Sequence, residues 1–347
     1  MTALTEVKDI WDTLKEVDLY TMREEALRGV HFALLGNPGS GRSDLARSMR
    51  RDPSHPDMVT HSPVMLLEPV ELRAAFGADL IILVVDGIHD DFLLFRKLAD
   101  ECINAGQNVM VFINHYGDME GDQALSVWMD WDMDHIVYGD AQNAELLLDT
   151  FVPAVINLLS HQTLSLARSF PLFRVRIANT LINDTSLSNA VYSFSTGLAE
   201  MVPVLGLPLN IADIFILTKM QAFLVYKLGL ALGYSVEWQD YIAEFGGVLG
   251  GGFMWRQAAR SLVGLIPGYG IVPKVAIAYS GTYVVGQVVL RWYLTGKHLN
   301  AKEIKGLYRE AMGRGKDVAK RLVKRKPKKV TDDTVPQLPA KEVEQGE

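Results

Sequence analysis

The sequence predicts a three-layer α/β unit with a mostly parallel sheet, followed by an all-α, apolar helical unit. Three observations carry this. Short apolar runs of strand length alternate with helix-period segments from Val30 to Ser160, which implies parallel strands joined by right-handed crossovers. A glycine-rich stretch, Gly36-Asn37-Pro38-Gly39-Ser40-Gly41-Arg42-Ser43, falls at the first strand-to-helix turn. After about residue 190 the chain becomes strongly apolar. These features divide it into N-terminal amphipathic helices (1–29), the α/β unit (30–160), a helical connector (161–188), the apolar helical unit (189–312) and a basic, then polar and acidic tail (313–347).

A chain of 347 residues can hold two cores, and a hydrophobic fraction of 49% with mean hydropathy +0.11 lies at the apolar end for a soluble protein. A net charge of −7 argues against a general nucleic-acid binder. The single cysteine, Cys102, excludes an intramolecular disulfide and a cysteine-built metal site. That suits a reducing, cytoplasmic setting, with Cys102 as core filler. The first residues are charged throughout and lack the apolar region of a secretion signal. Residues 5 to 28 place Val7, Ile10, Trp11, Leu14, Val17 and Met22 at helical spacing, so they are expected to pack on the unit that follows.

Val30 to Leu35 is an apolar run fit for a buried parallel strand, and Asp44 to Arg50 has helical patterning. The octapeptide between them has the spacing of a phosphate-binding loop. Gly36, Gly39 and Gly41 permit positive φ and close backbone approach, so N–H groups and the helix N-terminus can surround a phosphate. Ser43 offers a hydroxyl to Mg²⁺. Arg42 stands where that motif expects lysine, with a planar fork in place of a compact ammonium.

Arg51 to Pro63 is a proline-containing loop whose Thr60 could also reach a bound Mg²⁺. Val64 to Leu67 is the second strand, ended by Glu68-Pro69, and Glu68 either holds Mg²⁺ through water or caps the following helix. Asp79 to Val85 reads as a central strand, ended by Asp86 at the ligand-facing edge of the sheet. A helix over Asp91 to Ala105 and a strand over Val109 to Ile113 lead to Asn114-His115-Tyr116-Gly117-Asp118. Another helix (Gln123 to Met133), a strand (Ile136 to Tyr138) closed by Gly139-Asp140-Ala141, and a long helix (Asn143 to Ser160) complete the unit.

In the order and placement of these parts, GNPGSGRS above all, the first unit resembles the Era-type branch of small bacterial GTPases over about 130 residues. The resemblance implies a P-loop fold, GTP or another nucleoside triphosphate as ligand, and Mg²⁺ as its companion. Gly36, Asn37, Pro38, Gly39, Ser40, Gly41, Arg42 and Ser43 become the nucleotide-binding loop, with Asn114 and Asp118 at the base. Ser43, Thr60 and Glu68 become the metal contacts. Arg42, Glu68-Pro69 and His115 depart from the family pattern, and no glutamine is placed to orient water. A divergent GTPase and a pseudo-GTPase acting as a scaffold are both open, and no catalytic residue is assigned.

In the second unit Ile271 to Leu290 holds one charge, Lys274, over a length that can cross a bilayer. Gly246 to Gly252 and the pair Ala276 and Ser280 have the small-residue spacing of close helix packing. Membrane insertion or association and a soluble helical bundle with an apolar core are both open. The segments VPVLGLPLNIADIFILTKMQAFLVYKLGLALGY and LVGLIPGYGIVPKVAIAYSGTYVVGQVV resemble domain-of-unknown-function family number 697. That family is linked to bacterial GTPases and inner-membrane proteins, which implies a membrane location and no chemistry. Arg314 to Lys329 carries nine basic residues against one acid, Asp317. Such a segment suits anionic lipids at the cytoplasmic face. A protein partner or self-association is left open.

Overall fold

The computed structural model describes residues 16–55, 57–115, 135–200, 211–241 and 271–324. In chain order these hold α1 (Glu16–Leu27), β1 (Phe32–Leu35), α2 (Arg42–Met49), β2 (Val64–Leu67), a 3₁₀ turn (Pro69–Ala75), β3 (Leu80–Asp86), α3 (Phe92–Asn104), β4 (Val109–Asn114) and β5 (Ile136–Tyr138). There follow α4 (Ala144–Leu146), a π-helical turn (Leu147–Phe151), α5 (Val152–Leu158), α6 (Thr163–Ser169) and a 3₁₀ turn (Pro171–Phe173). Four long helices close the described chain: α7 (Arg174–Glu200), α8 (Ile211–Leu232), α9 (Ile271–Thr295) and α10 (Ala301–Lys324).

The five strands form one parallel sheet in the order β2-β1-β3-β4-β5. Alternation along each central strand assigns side chains to two layers. Phe32, Leu34, Leu80, Ile82, Val84, Met110 and Phe112 face α2, α5 and the π turn. Ala33, Leu35, Ile81, Leu83, Val85, Val111 and Ile113 face the first 3₁₀ turn and α3, where Cys102 is buried with its thiol pushed up to about 11 by burial and then by nearby Glu101. The predicted three-layer architecture is therefore present. The sheet reverses its winding between β1 and β3, the position beyond whose C-terminal strand ends sheets of this kind place their ligands.

The helix expected over Asn143 to Ser160 is interrupted. Pro153 has no N–H to donate to the preceding turn and its ring crowds the carbonyl four residues back. The chain widens just before it into the Leu147–Phe151 π turn, with the Val152 N–H bonded to the Leu147 carbonyl.

The connector is more than a link. Leu164, Leu166, Phe170, Leu172 and Phe173 are buried in the same hydrophobic core as Phe32 and Leu34, and that core runs on to Leu224, Tyr226, Tyr283 and Val288 of the helical unit. Phe170 meets Phe32 edge to face at 5.0 Å. One side of the sheet and the helical bundle thus share a single core, without a break near residue 160.

Within the bundle α9 packs along α7 and α10, and α8 packs on α7 and α9. Ala276, one of the small residues singled out in the sequence, lies where α10 crosses: a Cβ on Gly315 would come 2.7 Å from the Ala276 carbonyl oxygen. Gly246 to Gly252 lies outside the described residues. The Ile271 to Leu290 run falls within α9, whose buried side carries polar groups. Thr282 accepts from Asn189 Nδ2 at 2.7 Å and from Gln221 Nε2 at 3.2 Å, and donates to the Ala278 carbonyl at 3.0 Å. Among the described residues no helix is long and apolar enough to cross a membrane.

Candidate functional site at the glycine loop

The Gly36–Ser43 loop follows β1 directly at the β1/β3 switch point. Gly39 and Gly41 adopt φ of 91° and 95°, in the left-handed region that favours glycine. Gly41 occupies the N-cap of α2 without a side-chain cap, so Arg42, Ser43 and Asp44 begin the helix with backbone N–H groups directed at the loop. Close approach adds a second demand: a Cβ on Gly41 would lie 2.2 Å from Asn114 Nδ2, and one on Gly36 2.4 Å from both Ser40 Oγ and the Val84 carbonyl oxygen.

Asn114, at the end of β4, is buried and fully engaged. Its Nδ2 donates to the Ser40 carbonyl at 3.1 Å and its Oδ1 accepts from the Ala141 N–H at 2.8 Å. The side chain therefore joins the glycine loop to the 139–141 segment. Asp118, its expected partner at the base, lies outside the described residues, as does the helix expected over Gln123 to Met133.

Asn37 Nδ2 donates to Asp90 Oδ1 at 2.6 Å, and the other oxygen of Asp90 accepts from the Asp86 N–H at 2.6 Å. Asp86 in turn accepts from Ile88 N–H at 2.9 Å and pairs with Nδ1 of His89 at 3.0 Å and of His115 at 3.4 Å. Burial would raise the Asp86 carboxyl, but the bonds from Ile88, His89 and His115 outweigh it and hold the group below the usual carboxylate range. His115 adopts φ of 57°, a left-handed conformation in a non-glycine residue. Sequence alone does not single out Asp90 and His89. The Asp86-x-x-x-Asp90 spacing after an apolar strand was the signal available.

Arg42 runs beside Gly36, its Cγ 3.2 Å from where a Gly36 Cβ would stand, and its Nη1 donates to the carbonyl of Leu67 at the end of β2, which also accepts the Gly36 N–H. Ser43 is exposed and lines a cavity of about 310 Å³ shared with Arg47, Arg50, Thr60, His61 and Leu66. Thr60 reaches this wall, but its hydroxyl donates to the Ser169 carbonyl at 2.8 Å. Glu68 takes the N-cap position of the first 3₁₀ turn, where its N–H donates to Glu71 Oε2 at 2.8 Å. The capping alternative is thus the one its geometry displays. Pro38 is exposed at the tip of the loop.

The buried hydroxyl of Ser40 has no hydrogen-bond partner among the described residues, so the loop retains an unused polar group of the kind an anion oxygen satisfies. For Mg²⁺ the fit is narrower. Ser43 and Thr60 supply neutral hydroxyls, and no group of three or more His, Cys, Asp or Glu able to hold a metal occurs among the described residues. These residues suit an ion delivered by phosphate oxygens. No protein-family model matches the chain, and no curated protein matches it.

Proposed function

We propose that this chain is a divergent, GTPase-like P-loop protein that binds GTP, or another nucleoside triphosphate, with Mg²⁺ and is coupled to a membrane-associated helical unit. The supporting observation is the glycine loop itself: two left-handed glycines, an uncapped helix N-terminus and a buried Ser40 hydroxyl without a partner among the described residues, at the point where the sheet reverses direction. Gly36 to Ser43 would hold the phosphates, and Ser43 and Thr60 would meet the ion. Asn114 would act by keeping the loop in register, because both ends of its amide are already bonded. The ion would supply charge neutralisation for the phosphates.

Isothermal titration of the full chain with Mg²⁺·GTP and Mg²⁺·ATP tests this reading. Saturable heat, weakened by Ser43→Ala, is the expected result. A ligand at 100 times its Kd would raise stability by about 2.7 kcal/mol. No heat and no thermal shift with either nucleotide would sink it.

A second reading has its own observation. Arg42 donates to Leu67 and Asn37 to Asp90, so two donors that could meet phosphate are satisfied within the protein. A nucleotide-independent scaffold would keep these bonds permanently. On that reading Arg42→Ala loosens β2 and leaves nucleotide affinity at zero, whereas a binding protein loses measured affinity.

The basic face of α10 suits the anionic lipids of a cytoplasmic membrane surface. Lys316, Lys320, Arg321 and Lys324 are exposed, while Ala311, Gly315, Val318 and Ala319 pack into the bundle. Attachment would therefore be electrostatic, with the apolar side of the helix already committed to the protein.

A further inference from the structure

The segment following α2 touches two parts of the molecule at once. On one side Thr60 and His61 line the cavity that contains Ser43. On the other, Thr60 Oγ1 at 2.8 Å and Ser62 Oγ at 2.6 Å both donate to a single acceptor, the carbonyl of Ser169. Ser169 ends α6, so this carbonyl belongs to the last turn and has no partner within its own helix. The neighbouring Arg168 extends Nη1 to the carbonyls of Leu230 at 3.1 Å and Tyr234 at 2.8 Å, at the C-terminal end of α8. Arg174 braces the junction, with Nε donating to Ala167 O at 3.1 Å and Nη2 to Arg168 O at 3.2 Å. Asp52, on the same segment as Thr60, is fully buried and adds an attraction for Arg174.

We infer that Thr60 and Ser62, with the described residues around them (50–55 and 57–62), form a transmission arm: they carry displacement at the glycine-loop site through the Ser169 carbonyl and Arg168 to the C-terminal end of α8. The arm has two settings. In the pinned setting both hydroxyls hold Ser169. In the drawn setting Thr60 turns toward Ser43 and Ser62 alone keeps the carbonyl, which is left with one donor and is not stranded. Having two donors on one acceptor makes the exchange cheap. By linkage, whatever stabilises the α8 end must also bias the arm. The drawn setting and the ligand that produces it, a Mg²⁺-bound nucleoside triphosphate, rest on the proposed function; the bonded link from Thr60 and Ser62 to Ser169 does not.

Hydrogen exchange of the full-length chain without nucleotide tests the link directly. The Thr60→Val/Ser62→Ala variant should speed exchange about three- to tenfold at Phe170, Gly233 and Tyr234, whose amides bond to Leu166, Leu230 and Gly229. Amides of α3, on the opposite face of the sheet, should not change. Acceleration confined to residues 50–62 overturns the inference.

If the double variant also loosens α3, its fold is compromised and the reciprocal variant decides. Arg168→Gln should then speed exchange at the Thr60 amide, which bonds to the Arg50 carbonyl at 2.9 Å. An unaltered Thr60 amide rejects the arm. Wild-type exchange with and without Mg²⁺·GTP, beside the calorimetric titration, separates the two ideas: absence of binding heat defeats the nucleotide reading, while the nucleotide-free variants still judge the link.

Discussion

Two residues carry most of the site's internal order, and each does so by bonding that can be tested. Asn114 supplies one donor and one acceptor to buried backbone groups 74 and 27 residues away. Asn114→Ala leaves the Ser40 carbonyl and the Ala141 N–H without partners, at a cost of about 1–3 kcal/mol for each stranded group. Urea unfolding should show that loss. Asn114→Asp should be no rescue, since a carboxylate accepts from Ala141 but repels the Ser40 carbonyl. Asp86 gives a pH signature. Its folded value lies below the ordinary carboxylate value of about 3.9, so its contribution is complete above that pH and disappears as pH falls through the folded value. Asp86→Asn should therefore be less stable than wild type at neutral pH. The gap should narrow below about pH 4, and a gap independent of pH would show that the charge is not what stabilises. The glycine loop was legible at this scale because its spacing and its strand-to-helix position are local properties. The Thr60–Ser169 bond was not, since its partners are 109 residues apart and neither residue type signals the other.

At the scale of elements, the strands were readable because the central ones are buried on both faces and so appear as unbroken apolar runs. β2 and β5 emerged with the predicted bounds, whereas β1 starts two residues later at Phe32, β3 is shifted one residue along to Leu80–Asp86, and β4 extends one residue further to Asn114. The break before Pro153 was missed because a long amphipathic period masks a single missing donor. The helices of the second unit were apolar enough to suggest either lipid or protein around them, and periodicity does not say which. Gly315 offers a test of the protein-packed arrangement. Gly315→Ala places a methyl 2.7 Å from a backbone oxygen of α9, which cannot swing aside as a side chain would. A loss of about 1–3 kcal/mol is expected, read as a lower midpoint in urea. The exposed face of the same helix offers another. Lys316→Glu, Lys320→Glu, Arg321→Glu and Lys324→Glu together should abolish sedimentation with phosphatidylserine vesicles at 0.1 M salt while leaving the helix folded. Unchanged sedimentation would remove α10 as the membrane contact.

At the scale of the molecule, the division into an α/β unit and a helical unit describes sequence character better than it describes cohesion. Composition changes near residue 190, yet the core does not: Phe170 and Phe173 pack with Phe32 and Phe151, and the same cluster continues through Ile177 and Ile182 to Tyr283 and Val288. An apolar face reveals that it needs a partner without naming the partner, so a sequence cannot distinguish two cores from one that bends around a connector. The consequence is thermodynamic. Separate cores would melt separately, whereas a shared core makes the loss of either half expose the other. Phe170→Ala, at the seam, should cost about 3–5 kcal/mol. It should speed exchange in β1 and in α8 alike, since both lean on that ring's neighbourhood. Calorimetry of the wild type should give one transition whose van't Hoff and calorimetric enthalpies agree. Two resolved transitions, with the Phe170→Ala change confined to the earlier one, would mean that the continuous apolar contact contributes little cohesion. A fragment ending at residue 160 would strip Leu164, Phe170 and Phe173 from the sheet, so the proposed nucleotide binding has to be tested on the entire chain.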